Sequence, residues 1–298
     1  MALVNANGVD MHVERMPARN GTGTGTVSGT SAGTAAPPTV VLLHGLVIDS
    51  LISYYFTLAP AFAGAGLDVI MYDLRGHGHS ERPPSGYLLQ DFVEDLDALL
   101  DRLEVAGPVH LVGNSYGGTV AFSYAARRPD RVASLSLVES EPPTGAWARK
   151  MADSLGRGVV ELARESLYPE LAEKYSAHVS RRVKSIARLL HSCTLSEEIP
   201  ASRVMDEAEI RSVRCPVLAV YGSESELAPQ EGWLKSLLPN CRTATIPDQE
   251  HSILTGATQQ VSDLVMAWIR DHAAVPSASS ARPAPTATPA RSAKAEYP

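Results

Sequence analysis

The chain has 298 residues, of which 44% are hydrophobic, and its formal net charge is −7 at pH 7. This length and composition are ordinary for a globular protein that buries a sizeable core. Binding to nucleic-acid phosphates requires a concentrated basic face, so the negative balance argues against a nucleic-acid partner. The three cysteines, Cys193, Cys215 and Cys241, lack metal-ligand spacing and argue against a disulfide framework or a structural zinc site.

The beginning of the chain, MALVNANGVD, lacks the basic region and apolar run of a secretion signal. No apolar stretch approaches the roughly 20 residues that cross a bilayer. We therefore expect a cytoplasmic protein without a membrane span.

In chain order, the first predicted element is a hairpin, because ALVNANGVDMHVER turns at Asn7 and Gly8. Residues 18–38, rich in Gly and Thr, are predicted to form a flexible loop, because this composition buries too little apolar surface to order the backbone. Short apolar runs then alternate with helical patterns, which is typical of βαβ units and a mostly parallel sheet. The predicted strands are residues 40–43, 69–72, 109–112, 132–138, 217–221 and 242–246.

The alternation stops in residues 143–210, where only helical spacing is visible, as at Trp147, Met151 and Leu155. A helical insertion between two strands of such a sheet predicts a cap. We therefore expect a core of residues 1–142 and 211–272, a helical cap of residues 143–210, and a disordered tail of residues 273–298. The core is expected to end in an amphipathic helix around residues 261–269.

The strongest motif is GNSYGG, residues 113–118, which directly follows the apolar run VHLV and directly precedes a helical pattern. A sharp turn from strand to helix lifts a serine hydroxyl out of the sheet, and small neighbours let the backbone pass closely. The pattern predicts that Ser115 is a nucleophile.

A serine hydroxyl needs a base to take its proton. His251 is the candidate, because it follows the last predicted strand and precedes the final helix. A tight turn begins at His44, where the backbone N–H of Leu46 is predicted to face a developing oxyanion, and the N–H of Tyr116 is the second predicted donor. We interpret His77, in the run DLRGHGHS, as a structural residue of a turn beside the site.

The motifs HGL, DLRGHGHS, GNSYGG and EHS occur in the order found in the α/β-hydrolase superfamily, and the chain resembles that family over about residues 1–272. The resemblance implies an α/β fold with a mostly parallel eight-stranded sheet, helices on both faces and a helical cap. It also implies that nucleophile, acid and base follow one another along the chain.

The acid departs from the family pattern. Most members carry an aspartate shortly after the seventh strand, where this chain has Ser225, which cannot serve as the acid. Glu224 and Glu226 in the same loop are two alternatives. We favour Glu139 after the sixth strand, because haloalkane dehalogenases and zearalenone-type lactonases, which this chain resembles here, place their acid similarly.

A nucleophile and a base without a metal site or a dinucleotide motif indicate acyl transfer to water, with no cofactor. We expect hydrolysis of a small, mainly apolar carboxylic ester, lactone or thioester. The apolar side chains of residues 46–56 are candidates for the pocket wall, although a place in the core of the first helix is the expected one for each. Two alternatives are a carbon–carbon bond hydrolase of ring-fission diketones and a non-catalytic receptor that binds a ligand in the same fold. The sequence predicts no oligomeric state.

Overall fold

The computed structural model describes residues 2–19, 36–164, 167–174 and 177–273. Most of the predicted flexible loop (residues 20–35) and nearly all of the predicted tail (residues 274–298) lie outside the described residues.

An eight-stranded sheet with the order β1-β2-β4-β3-β5-β6-β7-β8 forms the centre of the molecule. From β3 onward neighbouring strands are parallel, whereas β2 pairs antiparallel with both β1 and β4. The first two strands form the predicted hairpin, since Ala6 pairs with Val9 around the turn at Asn7 and Gly8. The strands are β1 (Ala2–Ala6), β2 (Val9–Met16), β3 (Thr39–Leu43), β4 (Asp68–Tyr72), β5 (Val109–Asn114), β6 (Val132–Val138), β7 (Val217–Gly222) and β8 (Cys241–Ile246).

Helices cover both faces of this sheet, as expected for strands that read as continuous apolar runs. The helices are α1 (Ile52–Tyr55), α2 (Leu58–Gly64), α3 (Leu89–Arg102), α4 (Tyr116–Arg127), α5 (Gly145–Leu162), α6 (Leu167–Lys174), α7 (Ala177–Ser192), α8 (Leu195–Glu198), α9 (Glu207–Arg211), α10 (Gln230–Leu237), α11 (Ile253–Gly256) and α12 (Thr258–His272). The last of these extends beyond the predicted residues 261–269 at both ends.

The alternation of side chains along β3 separates the two cores. Val41 and Leu43 pack with α3 and α4 on one face, and Val40 and Leu42 pack with α2 and α12 on the other. Since successive side chains of a strand point to opposite faces, a central strand must be apolar at every position to serve both cores. The expected α/β-hydrolase fold is thus confirmed.

Helices α5 to α9 lie between β6 and β7, and all but the last residue of α9 fall in the segment 143–210 that was predicted to form a cap. Helix α5 begins at an N-cap, where the Thr144 hydroxyl accepts from the Trp147 N–H at 3.2 Å. Trp147 and Leu155 from α5 are buried in the core cluster shared with α3 and α4. Among the described residues, no helix has both the length and the apolar composition needed to cross a membrane.

Candidate active site

Ser115 stands at the turn between β5 and α4, with φ 51° and ψ −122°. A non-glycine residue with positive φ is uncommon, and such strain is typical of functional sites. The Ser115 N–H donates to the Val138 carbonyl at 2.9 Å, and the Ser140 hydroxyl donates to the Ser115 carbonyl at 2.6 Å. Contacts from β6 and the residues that follow it therefore hold this backbone in its strained conformation.

Two glycines make this turn possible. A Cβ at Gly113 would lie 2.3 Å from the Gly118 Cα, and a Cβ at Gly117 would lie 2.3 Å from the Leu43 carbonyl oxygen. Both distances are far below van der Waals contact, so these positions accept no side chain. The close approach of α4 to β3 and β5 depends on these glycines.

His251 lies in the loop between β8 and α11, and its imidazole joins the other two predicted residues. Its Nε2 is 3.1 Å from the Ser115 Oγ, and its Nδ1 is 3.1 Å from the Glu139 Oε2. An ionised carboxylate only accepts hydrogen bonds, so Nδ1–H donates to Glu139 and Nε2 is left to accept the serine proton. The imidazole is 48% exposed, which leaves it accessible from the cavity.

Glu139 follows β6 with φ 49°, and its carboxylate is completely buried. Besides His251, two neutral donors bind it, the Gly222 N–H at Oε1 and the Ser225 hydroxyl at Oε2, each at 2.5 Å. Burial of a carboxylate is costly unless its lone pairs are satisfied. These donors from the end of β7 and the loop after it compensate that cost and fix the carboxylate against the imidazole.

Ser225 is the residue whose role the sequence interpretation missed. It occupies the position at which most family members carry their acid, and its hydroxyl donates to the Glu139 carboxylate. Because β6 and β7 are adjacent parallel strands, residues that follow their carboxyl ends lie close together. This adjacency was the available signal, since a hydroxyl beside a relocated acid is suited to hold it.

The structure does not bring Glu224 or Glu226 to the imidazole. Both side chains are exposed. Glu224 accepts from the Ser223 hydroxyl at 3.1 Å, and Glu226 lies 3.8 Å from the Lys150 Nζ at the cavity wall.

The turn after β3 lies against the nucleophile, since a Cβ at Gly45 would be 3.4 Å from the Ser115 Cβ. Among the described residues, the Leu46 N–H has no hydrogen-bond partner. Tyr116 is the first residue of α4, and the first N–H groups of a helix have no intrahelical acceptor. Both predicted oxyanion donors are thus available for a ligand beside Ser115.

His44 is completely buried, and burial lowers its pKa. Its Nδ1–H donates to the Gly45 carbonyl at 2.6 Å, and its Nε2 accepts from the Leu74 N–H at 3.0 Å. The imidazole is therefore neutral, and it fixes the turn that carries Leu46.

A cavity of about 540 Å³ opens beside Ser115 and His251. Its apolar wall comes from the turn after β3, from helices α5 and α7 and from the loop after β7: Leu46, Val47, Ile48, Trp147, Met151, Leu155, Leu162, Val183, Ile186, Leu190 and Leu227. A polar part of the wall contains Glu141, Glu161, Glu226 and Lys150. The buried Glu141 carboxylate accepts from the Lys150 Nζ and, at 3.1 Å, from the Gln230 Nε2.

The expected place in the core is wrong for three residues of the segment 46–56. Ile48 is 65% exposed and lines the cavity, whereas Ile52 and Phe56 are 60% and 74% exposed and do not line it. Tyr54 is buried in the core. Helix α1 has a single turn, so only one of its faces reaches the sheet. Among the described residues, no group of three or more His, Cys, Asp or Glu side chains is arranged to hold a metal ion.

Comparison with known proteins places the chain in a family. Residues 38–159 match the model of a family described as having the alpha/beta hydrolase fold. RutD of Variovorax paradoxus, which is named as a carbamate hydrolase, is 31% identical over 185 residues, covering 57% of this chain and 68% of that protein. The chain belongs to the α/β-hydrolase family.

Two further proteins are similar to this chain, and the matched share of their own length differs. The dihydrolipoyllysine-residue acetyltransferase component of the acetoin cleaving system of Pseudomonas putida is 30% identical over 78% of this chain and 64% of its own length. The first curated relatives are each matched over less than two thirds of their length, 35 to 64%. The crystal structure of the enol-lactonase from Burkholderia xenovorans has a TM-score of 0.67 at 22% identity, covering 90% of this chain and 100% of that chain, which shows a shared fold.

Proposed function

We propose that the protein is a serine hydrolase that cleaves a small carboxylic ester, lactone or thioester through an acyl-enzyme on Ser115. The observation that carries this proposal is the chain of contacts from the Ser115 Oγ to the His251 Nε2, and from the His251 Nδ1 to the buried Glu139, each at 3.1 Å. Nucleophile, base and orienting acid within hydrogen-bond reach are the arrangement that nucleophilic catalysis requires.

In the proposed mechanism, His251 takes the hydroxyl proton as the Ser115 Oγ attacks the substrate carbonyl carbon. Glu139 stabilises the imidazolium that forms. The N–H groups of Leu46 and Tyr116 donate to the oxyanion of the tetrahedral intermediate, and the imidazolium then protonates the leaving group. Water deprotonated by His251 attacks the acyl-enzyme, releases the acid and restores the Ser115 hydroxyl.

Chemistry at an acyl carbon is supported by two relatives that are 30% and 31% identical to this chain over the aligned 247 and 185 residues. One is named as an acetyltransferase component and the other as a carbamate hydrolase. Both names describe reactions at a carbonyl carbon bonded to a heteroatom.

The cavity supports an uncharged, mainly apolar substrate. Most of its wall is apolar, and in its polar part the carboxylates of Glu141, Glu161 and Glu226 outnumber the single ammonium of Lys150. A carboxylate on the substrate would be repelled there, because like charges in a poorly solvated cleft interact strongly. The cytoplasmic location expected from the sequence stays a prediction.

The proposal is tested by measuring the hydrolysis of p-nitrophenyl butyrate and of its carboxylate-bearing analogue, mono-p-nitrophenyl succinate. We expect turnover of both, with a higher kcat/KM for the butyrate, and a loss of about 10⁴-fold or more in Ser115→Ala. Equal activity of wild type and Ser115→Ala would refute the proposal. No turnover of any ester would favour the receptor alternative, and preferential cleavage of a ring-fission diketone would favour the carbon–carbon bond hydrolase.

A further inference from the structure

The backbone of the turn that carries the Leu46 N–H is strained. The Ile48 N–H donates to the Leu46 carbonyl at 2.8 Å, which closes a three-residue turn centred on Val47. Val47 has φ 67°, and a β-branched residue in this region is an outlier. Turns of this kind with positive φ at the centre are rare and strained. A contact must hold Val47 in this conformation.

His77 supplies that contact from the loop between β4 and α3. Its Nε2 accepts from the Val47 N–H at 2.8 Å, and its Nδ1–H donates to the Arg75 carbonyl at 2.8 Å. The residue is 2% exposed, and burial lowers its pKa to about 3. The imidazole is therefore neutral at the pH at which His251 acts as a base, and its Nε2 remains an acceptor.

The neighbouring backbone groups of the turn are bound as well. The Gly45 N–H donates to the Asp49 carboxylate at 2.8 Å, and the Gly45 carbonyl accepts from His44. Within residues 45–48, the Leu46 N–H is the donor for which the described residues provide no acceptor. Side chains thus fix the turn around an N–H that is left for a ligand.

We propose that His77 is a positioning residue of the oxyanion site: it holds Val47 at positive φ and thereby keeps the adjacent Leu46 N–H directed at the oxyanion. This inference rests on the proposed function. Without the acceptor, Val47 relaxes toward negative φ and displaces the neighbouring peptide group, so that the transition state loses part of one hydrogen bond. The ground state of the substrate is bound mainly by the cavity wall and is affected little.

The test compares His77→Asn with His77→Gln. Asparagine keeps a donor near the position of Nδ1 but has no atom at the position of Nε2, whereas glutamine places an amide oxygen near it. With kcat normalised to active sites titrated with a p-nitrophenyl alkylphosphonate, we expect His77→Asn to lower kcat by about 10- to 100-fold, because loss of a whole oxyanion donor costs about 10²- to 10³-fold. KM should change by less than about threefold, and His77→Gln should recover most of kcat.

His79 is the matched control, since it lies in the same run and its ring packs against His12 at 5.2 Å, away from the cavity. His79→Asn should keep kcat within about twofold of the wild-type value. A second variant tests the strain directly. Glycine adopts positive φ without steric cost, so Val47→Gly added to His77→Asn should restore at least part of the lost kcat.

Hydrogen exchange supplies a readout that does not require turnover. The amides of Val47 and Ile48, which are hydrogen-bonded to His77 and to the Leu46 carbonyl, should exchange more than about tenfold faster in His77→Asn than in the wild type or in His79→Asn. Unchanged exchange, an unchanged kcat in His77→Asn, or equal losses in the asparagine and glutamine variants without rescue by Val47→Gly would overturn the inference. An inactive wild type would overturn the proposed function instead, and the exchange measurement would still decide whether His77 holds the turn.

Discussion

The contact between Glu139 and Ser225 shows how a buried carboxylate is accommodated after β6. The carboxylate stands after β6 and the hydroxyl after β7, and the two meet at 2.5 Å beside the His251 imidazole. An aspartate at position 225 would add a second carboxylate within contact distance of the first. Two carboxylates at such a short distance from each other cannot both be ionised at neutral pH. One acid with a neutral donor beside it is therefore the stable combination.

Replacing the acid by an amide should remove most of the activity. We expect Glu139→Gln to lower kcat by about 10⁴-fold, the loss seen when the triad aspartate of a serine protease becomes an amide, because the imidazole loses its orientation and its stabilising charge. Glu224→Gln and Glu226→Gln are the controls, and each should stay within about tenfold of wild type because water screens these exposed carboxylates. The kcat of each variant is measured with p-nitrophenyl butyrate as the substrate. A collapse in either control, with Glu139→Gln active, would place the acid after β7.

Moving the carboxylate to the position usual in the family should restore part of the function. The Ser225 Oγ lies beside the Glu139 oxygen that binds His251, so an aspartate at 225 can reach the imidazole when Glu139 is neutralised. We expect Glu139→Gln with Ser225→Asp to regain at least about tenfold in kcat over Glu139→Gln alone. Ser225→Ala alone should lose about 10- to 100-fold, as expected for a hydrogen bond to a charged group. No gain in the double variant would show that position 225 cannot deliver an acid.

Local context was sufficient to single out two residues that the structure brings together. Ser115 is marked by the strand, turn and helix around it, and His251 by its place after the last strand. The roles of Ser225 and His77 depend on partners far away in sequence, Glu139 and Val47. Neither contact leaves a periodic or compositional signal. For Ser225 the adjacency of β6 and β7 was the available signal, whereas the contact of His77 with Val47 emerges only from the folded structure.

At the scale of the elements, the turn from β5 to α4 tolerates little change. Its glycines are required because backbone atoms occupy the space of a side chain, whereas some glycines elsewhere have no such neighbours. Gly156, exposed on α5, would place a Cβ with nothing within 4 Å.

This contrast predicts opposite effects of the same substitution. Gly117→Ala should lower the free energy of unfolding by about 1 to 3 kcal/mol or more, because the methyl group overlaps the backbone of β3. Gly156→Ala should raise it by up to about 1 kcal/mol, since alanine favours a helix more than glycine does. Urea unfolding measures both. A Gly117→Ala protein as stable as wild type would mean that α4 can move away from the sheet at little cost.

Most strands were predictable because they are apolar on both faces and end at glycine or polar residues. The predicted strand at residues 109–112 corresponds to β5, which continues to Asn114 because β6 still pairs with it there. The segment 46–56 was less predictable, since a one-turn helix has no period from which to assign a buried face. That is why Ile48, Ile52 and Phe56 were wrongly expected to be buried in the core.

For the molecule as a whole, buried histidines link stability to pH. Burial lowers the pKa of His44. It lowers the pKa of His77 to about 3 and the pKa of His110 to about 4. In the unfolded chain the pKa of a histidine is about 6.5. Below that pH the unfolded state binds protons that the folded state does not, so the free energy of unfolding falls as the pH falls from about 6.5 toward about 4.

Each such histidine contributes a slope of about 1.4 kcal/mol per pH unit within this window. His110→Gln removes one of them without changing a contact of Ser115 or His251, because His110 lies within β5 and contacts Ser134 at 2.8 Å. Between about pH 7 and about pH 5, we expect the free energy of unfolding to fall by about 2 kcal/mol less in this variant than in the wild type. Urea unfolding at the two pH values measures the difference. If the free energy of unfolding fell by the same amount in the variant and in the wild type, His110 would have to bind a proton in the folded state.

The measurement that tests the central claim most directly is peptide mapping by mass spectrometry after reaction with a p-nitrophenyl alkylphosphonate. This reagent reacts with an activated serine, and its product resembles the tetrahedral intermediate of acyl transfer. We predict one adduct, on the peptide that contains Ser115, with slower labelling in Glu139→Gln and none in Ser115→Ala. An adduct on another residue, or labelling that persists in Ser115→Ala, would contradict the assignment of Ser115 as the nucleophile.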